Sequence, residues 1–425
     1  MQNKISFVIN TGPNTLPYVK LLLTSLKEQL DDNHHEILIF VDNDNDGTLE
    51  YLRTNKENFY DLKIVSHKIK PIVGYARNSD LMVKLAKHDI VSYLQSDMVV
   101  SKHYDSEIIR ALEENTILSS TRIEPPLHGI SDKTFTMDFG VDPEHFKYSE
   151  FVQFADTIKS DKQIEYFFAP YTFHKSTWKK LGGYDTLFRR AREDSDFVQR
   201  CLHANVKLKQ TFSANVYHFT CVSSRGKNWF DKSNQEAQDR VKLQSLADQM
   251  EIRRFVKKWG NFNHGESVLK KYDCDLVIKS KIEKIGRAFE LEPFFSRVWI
   301  QSENQRQQLI TNYQGEHFPA NKLLNFTEED WQDSKKYYNQ IDYSSIYLVG
   351  EPENYNAKIE LNLDSKEPDL LTGETLMNLG QLIEQTEPGD YEFGNCILSI
   401  KQAKEITPSF KVENPPFDMD LLTIE

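Results

Sequence analysis

The sequence has few cysteines and no long apolar run. Its 425 residues contain four cysteines, Cys201, Cys221, Cys274 and Cys396. No pair of them has the spacing of a metal site, and a chain of this length does not need disulfides, so we expect free thiols in a reducing compartment. No segment approaches the roughly 18 apolar residues of a membrane span, and the N-terminus lacks an apolar signal sequence. We therefore expect a soluble, cytoplasmic protein with no integral membrane segment.

Positive charge is also scarce. The chain has 52 Lys and Arg against 64 Asp and Glu, a formal net charge of −12. A general nucleic-acid binder needs a basic face, so we expect no nucleic-acid partner. The charge does not exclude an anionic ligand held by a few arginines and a metal ion.

The first hundred residues alternate apolar runs with helical patterns. The runs Ile5–Asn10, Glu36–Val41, Leu62–Val65 and Ile90–Leu94 predict strands, and helical spacing lies between them. The order βαβαβαβ predicts an α/β fold with a largely parallel sheet and right-handed crossovers. Ligands of such sheets bind beyond the carboxyl ends of the strands.

The segment D-N-D-N-D-G at positions 42–47 copies the first half of a calcium loop. An EF-hand needs a helix before this loop and a Glu six residues after the glycine. Here a strand precedes the loop, and the later position is Arg53. We therefore do not predict a calcium site.

The segment Leu181–His203 concentrates acidic residues before a helical pattern. It reads LGGYDTLFRRAREDSDFVQRCLH, and its three neighbouring carboxylates are Glu193, Asp194 and Asp196. Unpaired N–H groups and the helix dipole favour negative charge at a helix start. One acid would serve as an N-cap, whereas three together suggest a further, functional role.

Five segments, taken in order, resemble the family 2 glycosyltransferases over roughly residues 4–225. They are ISFVINTGPN, FVDNDNDGT, GYARN, SYLQSDMVV and LGGYDTLFRRAREDSDF. The resemblance implies a GT-A type fold, a Rossmann-like and mostly parallel sheet flanked by helices. It also implies an inverting transfer of a sugar from a nucleoside-diphosphate sugar, with UDP as the expected nucleotide, to a glycan or other hydroxyl acceptor.

The resemblance assigns the donor and its metal to particular residues. The nucleotide-sugar-binding residues would be Thr11, Asn14, Asp42, Arg77, Asn78, Gln95 and Arg225. A divalent cation, Mn²⁺ or Mg²⁺, would bind Asp97 and His218. The chain departs from the family where Gln95 replaces the first acid of the D-x-D motif, because an amide carries no charge. A lone His at a strand end is also compatible with a structural role, as an Arg is with an ordinary surface charge.

The resemblance also assigns the acceptor side. Asp194 would be the general base, with Glu193 as its neighbour and Asp196 as support. Gly183, Tyr184 and Asp185 would shape the acceptor side. The irregular segment 120–165 would form the acceptor wall, and Ser223–Lys227 is either a lid over the diphosphate or an exposed linker.

The domain prediction has three parts. Residues 1–233 form the glycosyltransferase domain, 234–265 a helical linker, and 266–425 a smaller α+β domain of unassigned role. Strands are expected at Leu276–Lys279, Val298–Gln301, Ile346–Val349, Ile359–Leu363 and Cys396–Lys401, and helices at Gln305–Tyr313, Glu328–Tyr338 and Thr375–Gln385.

Two other functions compete with the main hypothesis. A nucleotide-sugar-binding protein that has lost catalysis would keep the fold, and Gln95 would be a mark of that loss. A sugar-1-phosphate nucleotidyltransferase should carry a basic, Gly-rich loop after the first strand. The loop here is Thr-Gly-Pro-Asn, with no basic residue before Lys20, which disfavours that class.

Overall fold

The computed structural model describes residues 3–42, 44–67, 74–128, 131–188, 191–220, 230–235, 238, 251–262, 267–279, 291–311, 343–361, 371, 373–393 and 396–425. The chain forms two compact units. One is Met1–Gln244 together with Phe410–Glu425, and the other is Ser245–Ser409. The last residues thus pack with the first unit, whereas the sequence analysis assigned them to the C-terminal domain. No helix in the described ranges is long and apolar enough to cross a membrane.

The first unit alternates strands and helices. In chain order its elements are β1 (Ile5–Thr11), α1 (Leu16–Gln29), β2 (Glu36–Val41), α2 (Thr48–Thr54), β3 (Asp61–His67), α3 (Tyr75–Leu85), β4 (Ile90–Gln95), β5 (Met98–Val100), α4 (Tyr104–Ala111), β6 (Thr116–Glu124), β7 (Thr134–Thr136), α5 (Tyr148–Thr157), β8 (Gln163–Glu165), β9 (Tyr171–His174), α6 (Lys175–Leu181), α7 (Glu193–His203) and β10 (Lys207–His218). The strands that follow are β11 (Lys271–Tyr272), β12 (Cys274–Ile278), β13 (Arg297–Ile300), β14 (Tyr347–Val349), β15 (Ala357–Leu361), β16 (Gly389–Phe393), β17 (Cys396–Ile400), β18 (Glu405–Ile406) and β19 (Leu422–Ile424).

An eleven-stranded mixed sheet organises the first unit. Its order is β19-β3-β2-β1-β4-β9-β6-β10-β5, with β7 beside β6 and β8 beside β10. Strands β3, β2, β1 and β4 are parallel, as the sequence predicts. β9 inserts antiparallel between β4 and β6, and β6 runs parallel to β10. Most strands therefore share one direction, and their carboxyl ends meet at one edge.

Helices cover both faces of this sheet. Alternate residues of a strand point to opposite faces, so Phe7 packs with the cluster around Leu22 of α1. Val8 packs on the other side with Met82 of α3 and Phe197 of α7. Every residue of β2 is buried, as expected for a parallel strand covered on both faces.

The second unit has its own sheet and core. Its six strands have the order β14-β13-β12-β15-β17-β16, and one apolar cluster packs against them. Strands β12, β13, β14, β15 and β17 overlap the five strands predicted from sequence. The predicted helix Glu328–Tyr338 lies outside the described residues. Cys201, Cys274 and Cys396 are buried free thiols, and Cys221 also lies outside the described residues.

Candidate active site

Several predicted donor residues meet at the carboxyl ends of β1 and β2. The backbone N–H of Asp42 donates to the carbonyl of Thr11 (3.3 Å), and Thr11 Oγ1 donates to the carbonyl of Phe40 (3.2 Å). From α3, the amide of Asn78 donates to Asp42 Oδ2 (3.1 Å). Thr11, Asp42 and Asn78 are therefore connected by hydrogen bonds at the edge where ligands of α/β sheets bind.

Asn14 is engaged with the acidic segment after β2. Its backbone N–H donates to Asn45 Oδ1 (2.9 Å), and the N–H of Leu16 donates to Asp46 Oδ2 (2.8 Å). The N–H of Thr48 donates to Asp44 Oδ1 (3.0 Å). These carboxylates satisfy free N–H groups at the starts of α1 and α2, which accounts for the acids without a calcium ion.

Two buried side-chain oxygens lie at neighbouring positions near the carboxyl ends of β1 and β4. Asn10 and Gln95 are paired in the register of β1 and β4. The Asn10 amide donates to Ser79 Oγ (2.8 Å) and to the hydroxyl of Tyr93 (3.3 Å). Within the described part of the chain, Asn10 Oδ1 and Gln95 Oε1 are buried without a hydrogen-bond donor. Because an unsatisfied buried acceptor is costly, these two oxygens suit the hydroxyl donors of a ligand.

Arg77 precedes Asn78 on α3 and brings positive charge to the same region. Its guanidinium lies 4.8 Å from the centre of the Phe417 ring, a cation–π distance. Arg225 and the segment Ser223–Lys227 lie outside the described residues.

Asp97 and His218 approach each other at the end of β10. Asp97 follows β4 and is 2% exposed, and His218 is 6% exposed. His218 Nε2 lies 3.8 Å from Asp97 Oδ1. The other ring nitrogen, Nδ1, lies 2.8 Å from Glu124 Oε1. The imidazole thus links Glu124 to Asp97.

Glu124 is a site residue that the sequence analysis missed. Burial raises the pKa of Glu124, but the hydrogen bond and charge of His218 outweigh burial and lower that pKa from 4.5 to about 2. Glu124 Oε1 lies beside Nδ1 and the ring turns Nε2 toward Asp97, the arrangement in which carboxylates orient metal-binding histidines.

These groups fit a divalent cation. Ligand atoms at about 2.1 Å from a metal are at most about 4.2 Å apart, and Nε2 and Oδ1 satisfy this limit. Asp97 and His218 would hold such an ion with two protein ligands and would leave room for phosphate oxygens and water, which is usual for Mg²⁺. The described residues also include an acidic group formed by Asp142, Glu144 and His145. There His145 Nδ1 is bonded to Asp142 Oδ1 (2.9 Å), and two of the three residues are exposed, so we do not assign the metal to it.

The glycine pair before α7 forms a tightly packed turn. Gly182 and Gly183 have φ of +78° and +80°, which favours glycine. A Cβ at Gly182 would overlap the Val412 carbonyl, and one at Gly183 would overlap the Asp80 carboxylate. Each glycine is therefore required by both its conformation and its neighbours.

Tyr184 and Asp185 follow in this turn. Tyr184 is buried, and its hydroxyl bonds to that of Tyr171. Burial and the charges of Glu193 and Asp194 hold the pKa of Tyr184 well above its ordinary value. Asp185 Oδ1 accepts from the N–H of Leu187 (3.0 Å). The turn thus lies next to the acids of α7.

Each of the three acids of α7 has a different environment. The N-cap is Arg192, so the acids do not serve as the cap. Asp194 is exposed, and its Oδ1 accepts from Ser195 N (2.6 Å) and Ser195 Oγ (3.1 Å). Glu193 is half-buried. Asp196 is fully buried and paired with Arg200 at 2.7 Å, which gives it a structural contact and no exposure to a substrate.

Part of the chain matches a known protein family. The family model described as glycosyl transferase family 2 matches residues 10–169. No curated protein sequence matches the chain. Solved structures with similarity include S. aureus TarS 1-349, at 15% identity over 58% of this chain and 80% of that chain, with a TM-score of 0.38.

Two further similar structures are those of GalNAc-T7 and of a mannosyltransferase. GalNAc-T7 with UDP, GalNAc and Mn²⁺ is 11% identical over 61% of this chain and 51% of that chain, with a TM-score of 0.41. The mannosyltransferase PcManGT from Pyrobaculum calidifontis, in complex with GDP-Man and Mn²⁺, is 14% identical over 59% and 65%, with a TM-score of 0.38. The matched segment, 160 of the 425 residues, includes the strand ends at which the predicted donor residues and Asp97 lie, and this match to the glycosyl transferase family 2 model supports a glycosyltransferase.

Proposed function

We propose that this glycosyltransferase moves a sugar from a UDP-linked donor to a hydroxyl group of a glycan or similar acceptor, with inversion at the anomeric carbon. The observation that carries the proposal is the convergence of His218 Nε2 and Asp97 Oδ1, 3.8 Å apart, beside the polar ends of β1, β2 and β4. Acidic and imidazole ligands beside a set of hydrogen-bonding groups suit a diphosphate and a ribose.

The donor would bind along these strand ends. Asp42 and Asn78, bonded to each other at 3.1 Å, would contact the base or ribose. The two unsatisfied oxygens of Asn10 and Gln95 would accept hydrogen bonds from sugar hydroxyls. Arg77 would add positive charge near the diphosphate.

Asp97 and His218 would hold Mn²⁺ or Mg²⁺, with Glu124 fixing the His218 tautomer. The cation would offset the charge that the diphosphate gains as the glycosidic bond breaks. Imidazole ligation favours Mn²⁺ over Mg²⁺. Gln95 in place of an acid leaves one fewer negative charge near the cation, so the site relies on His218 and Asp97.

Asp194 would remove the acceptor proton. Within the described residues its hydrogen bonds involve Oδ1, so Oδ2 remains to accept a proton. A base on one face of the sugar and the leaving group on the other produce inversion in a single displacement. Glu193, half-buried beside Asp194, would place a second negative charge next to this carboxylate or contact the acceptor.

Gln95 is also compatible with the alternative function, a nucleotide-sugar-binding protein without catalysis. Gln95 lacks the charge of the family's first metal-motif acid, which favours a binding protein that has lost catalysis. The intact Asp97, Glu124 and His218 contacts argue for the enzyme, because a lapsed site would not need to preserve them.

Both functions can be tested with a panel of sugar nucleotides. The protein is incubated with UDP- and GDP-linked sugars and Mn²⁺, and release of the nucleoside diphosphate is measured with and without EDTA. We expect release from a UDP-linked sugar, abolished by EDTA and restored by Mn²⁺. Binding of UDP without release of the nucleoside diphosphate from any sugar nucleotide would support a binding protein that has lost catalysis. Release unaffected by EDTA would exclude the metal role of Asp97 and His218.

A further inference from the structure

The last residues of the chain return to the first unit and contact its active-site turn. The N–H of Val412 donates to the carbonyl of Leu181 (3.1 Å). Further along, β19 pairs antiparallel with β3. The segment Phe410–Glu425, here called the C-terminal tail, is therefore bonded to the first unit at two places.

One side chain of the tail bonds to four groups of the glycine turn. Asn414 Nδ2 donates to the carbonyls of Gly182 (3.2 Å) and Tyr184 (2.6 Å). Asn414 Oδ1 accepts from the backbone N–H of Thr186 (3.2 Å) and from its hydroxyl (3.1 Å). A single amide thus uses both its donor and its acceptor on the turn that precedes the acids of α7.

The tail is also connected to α7 itself. The Leu181 carbonyl that accepts from Val412 also accepts from Arg200 Nη1 (2.9 Å). Arg200 pairs with Asp196 in the first half of α7. A displacement of the tail would therefore disturb both the turn and the buried ion pair behind Asp194.

A second side chain of the tail contacts the donor side. The Phe417 ring lies 4.8 Å from the Arg77 guanidinium and stacks on His67, with ring centres 6.1 Å apart. Arg77 adjoins Asn78, which bonds Asp42. The guanidinium is therefore held by an aromatic ring that lies more than 300 residues away in the sequence.

We propose that the C-terminal tail is a positioning element of the active site. Asn414 fixes the Gly182–Thr186 turn on the acceptor side, and Phe417 fixes Arg77 on the donor side. The inference rests on the proposed function for its effect on substrates. The contacts themselves are independent of any substrate.

The test compares three variants of the full chain. Asn414→Ala removes all four hydrogen bonds, and Asn414→Asp keeps the acceptor but turns a carboxylate oxygen toward two carbonyls. Phe417→Leu removes the ring. Glu413→Ala is the matched control, because Glu413 is an exposed residue of the same tail. Amide hydrogen exchange of residues 182–188, affinity for UDP with Mn²⁺, and turnover of the sugar nucleotide are measured for each.

The two positions should affect different quantities. Asn414→Ala should speed exchange of the turn and lower turnover, each by at least about tenfold, with UDP affinity unchanged, since the four lost hydrogen bonds, three of them to backbone groups, are together worth no less than this. Asn414→Asp should speed exchange of the turn and lower turnover more than Asn414→Ala does, because its carboxylate oxygen would face two carbonyls. Phe417→Leu should weaken UDP binding about fivefold, the value of one cation–π contact, with normal exchange of the turn.

Two results would overturn the proposal. One is exchange and turnover in Asn414→Ala equal to those of Glu413→Ala. The other is the same loss of UDP affinity and thermal stability in Asn414→Ala and Phe417→Leu, which would indicate a tail that only stabilises the fold. If the unmodified protein does not bind UDP, the proposed donor is wrong, and exchange of residues 182–188 still decides whether Asn414 fixes the turn.

Discussion

The three acids at the start of α7 differ in what they can do, because one is exposed, one is half-buried and one is fully buried. Exposure and an available Oδ2 make Asp194 the proposed base. Asp194→Asn preserves the shape of the side chain and its bond to Ser195 but removes the proton acceptor. We expect turnover to fall by about 10²-fold or more, with UDP affinity nearly unchanged. Steady-state turnover and UDP titration measure the two effects.

The neighbouring acids provide the controls. Glu193→Gln should lower turnover less than Asp194→Asn does. Asp196→Asn should act on stability, because it leaves Arg200 buried without its charge partner, a change worth about 3–5 kcal/mol. Turnover close to normal in Asp194→Asn would move the base to Glu193 or support a binding protein.

Glu124 gives a second prediction at this scale. Glu124→Ala removes the acceptor for His218 Nδ1, so the imidazole is free to rotate or change tautomer. Loss of such an orienting carboxylate lowers metal affinity about 10- to 100-fold. Titration of Mn²⁺ in the presence of UDP, followed by electron paramagnetic resonance, measures the affinity directly.

Glu124→Gln separates orientation from charge in the same experiment. The amide oxygen can still accept the Nδ1 proton, so this variant should bind Mn²⁺ more tightly than Glu124→Ala. Equal Mn²⁺ affinity in Glu124→Ala and the unmodified protein would show that Glu124 does not orient His218 for the metal.

The sequence predicts some of these residues and not others, for a physical reason. Thr11 and Asp42 lie at the ends of apolar runs and Asn78 lies in the first turn of a helical pattern, so the local pattern indicates two strand ends and one helix start. Glu124 ends a strand with no motif, and it meets His218 only through the parallel pairing of β6 and β10. The role of Asn10 also depends on its neighbour across the sheet, which a local pattern does not contain.

At the scale of elements, the first four parallel strands were predictable and the last strand was not. Alternating apolar runs and helices indicate β1 to β4. β19 is three residues long, and it joins the sheet through backbone hydrogen bonds to β3. Such pairing leaves little trace in the side-chain pattern, so the sequence analysis placed residues 410–425 with the C-terminal domain, whereas they cluster with the first unit.

Leu422 tests the contribution of β19 to the first unit. Leu422 is 4% exposed and packs in the cluster that includes Val65 of β3. Leu422→Ala should lower the free energy of unfolding by about 2–5 kcal/mol, the usual cost of a cavity at a buried leucine. Urea unfolding monitored by circular dichroism measures the change.

Ile424 lies in the same strand and provides the matched control. It is 46% exposed, so Ile424→Ala should change the free energy of unfolding by less than about 1 kcal/mol. Equal effects of the two variants would mean that β19 does not contribute to the core. A fragment ending at residue 260 lacks this strand, so we expect it to be less stable than the full chain.

At the scale of the whole molecule, each unit has its own core and its own buried charges. In the second unit Lys271 is 8% exposed, and its Nζ donates to the backbone carbonyl of Lys257. Burial, and next the charge of Lys257, lower the pKa of Lys271 from 10.5 to about 8. Burying this ammonium therefore opposes folding wherever the lysine is charged.

The pKa difference makes stability depend on pH in a definite direction. Between pH 8 and 10.5 the unfolded chain binds more protons at Lys271 than the folded chain, so this residue makes stability rise with pH. Below pH 8 the full cost, about 3 kcal/mol for this shift, is present. Lys271→Met removes the charge, so the variant should gain most over the unmodified protein near pH 7 and least near pH 10.5. Urea unfolding at both pH values, followed through the signal of the second unit, measures this difference.

The matched control is Lys270→Met, because Lys270 is exposed and pairs with Glu384. This variant should keep the increase in the free energy of unfolding between pH 8 and 10.5. A gain from Lys271→Met that is the same at both pH values would mean that folding does not lower the pKa of Lys271, so that this lysine is not buried in solution.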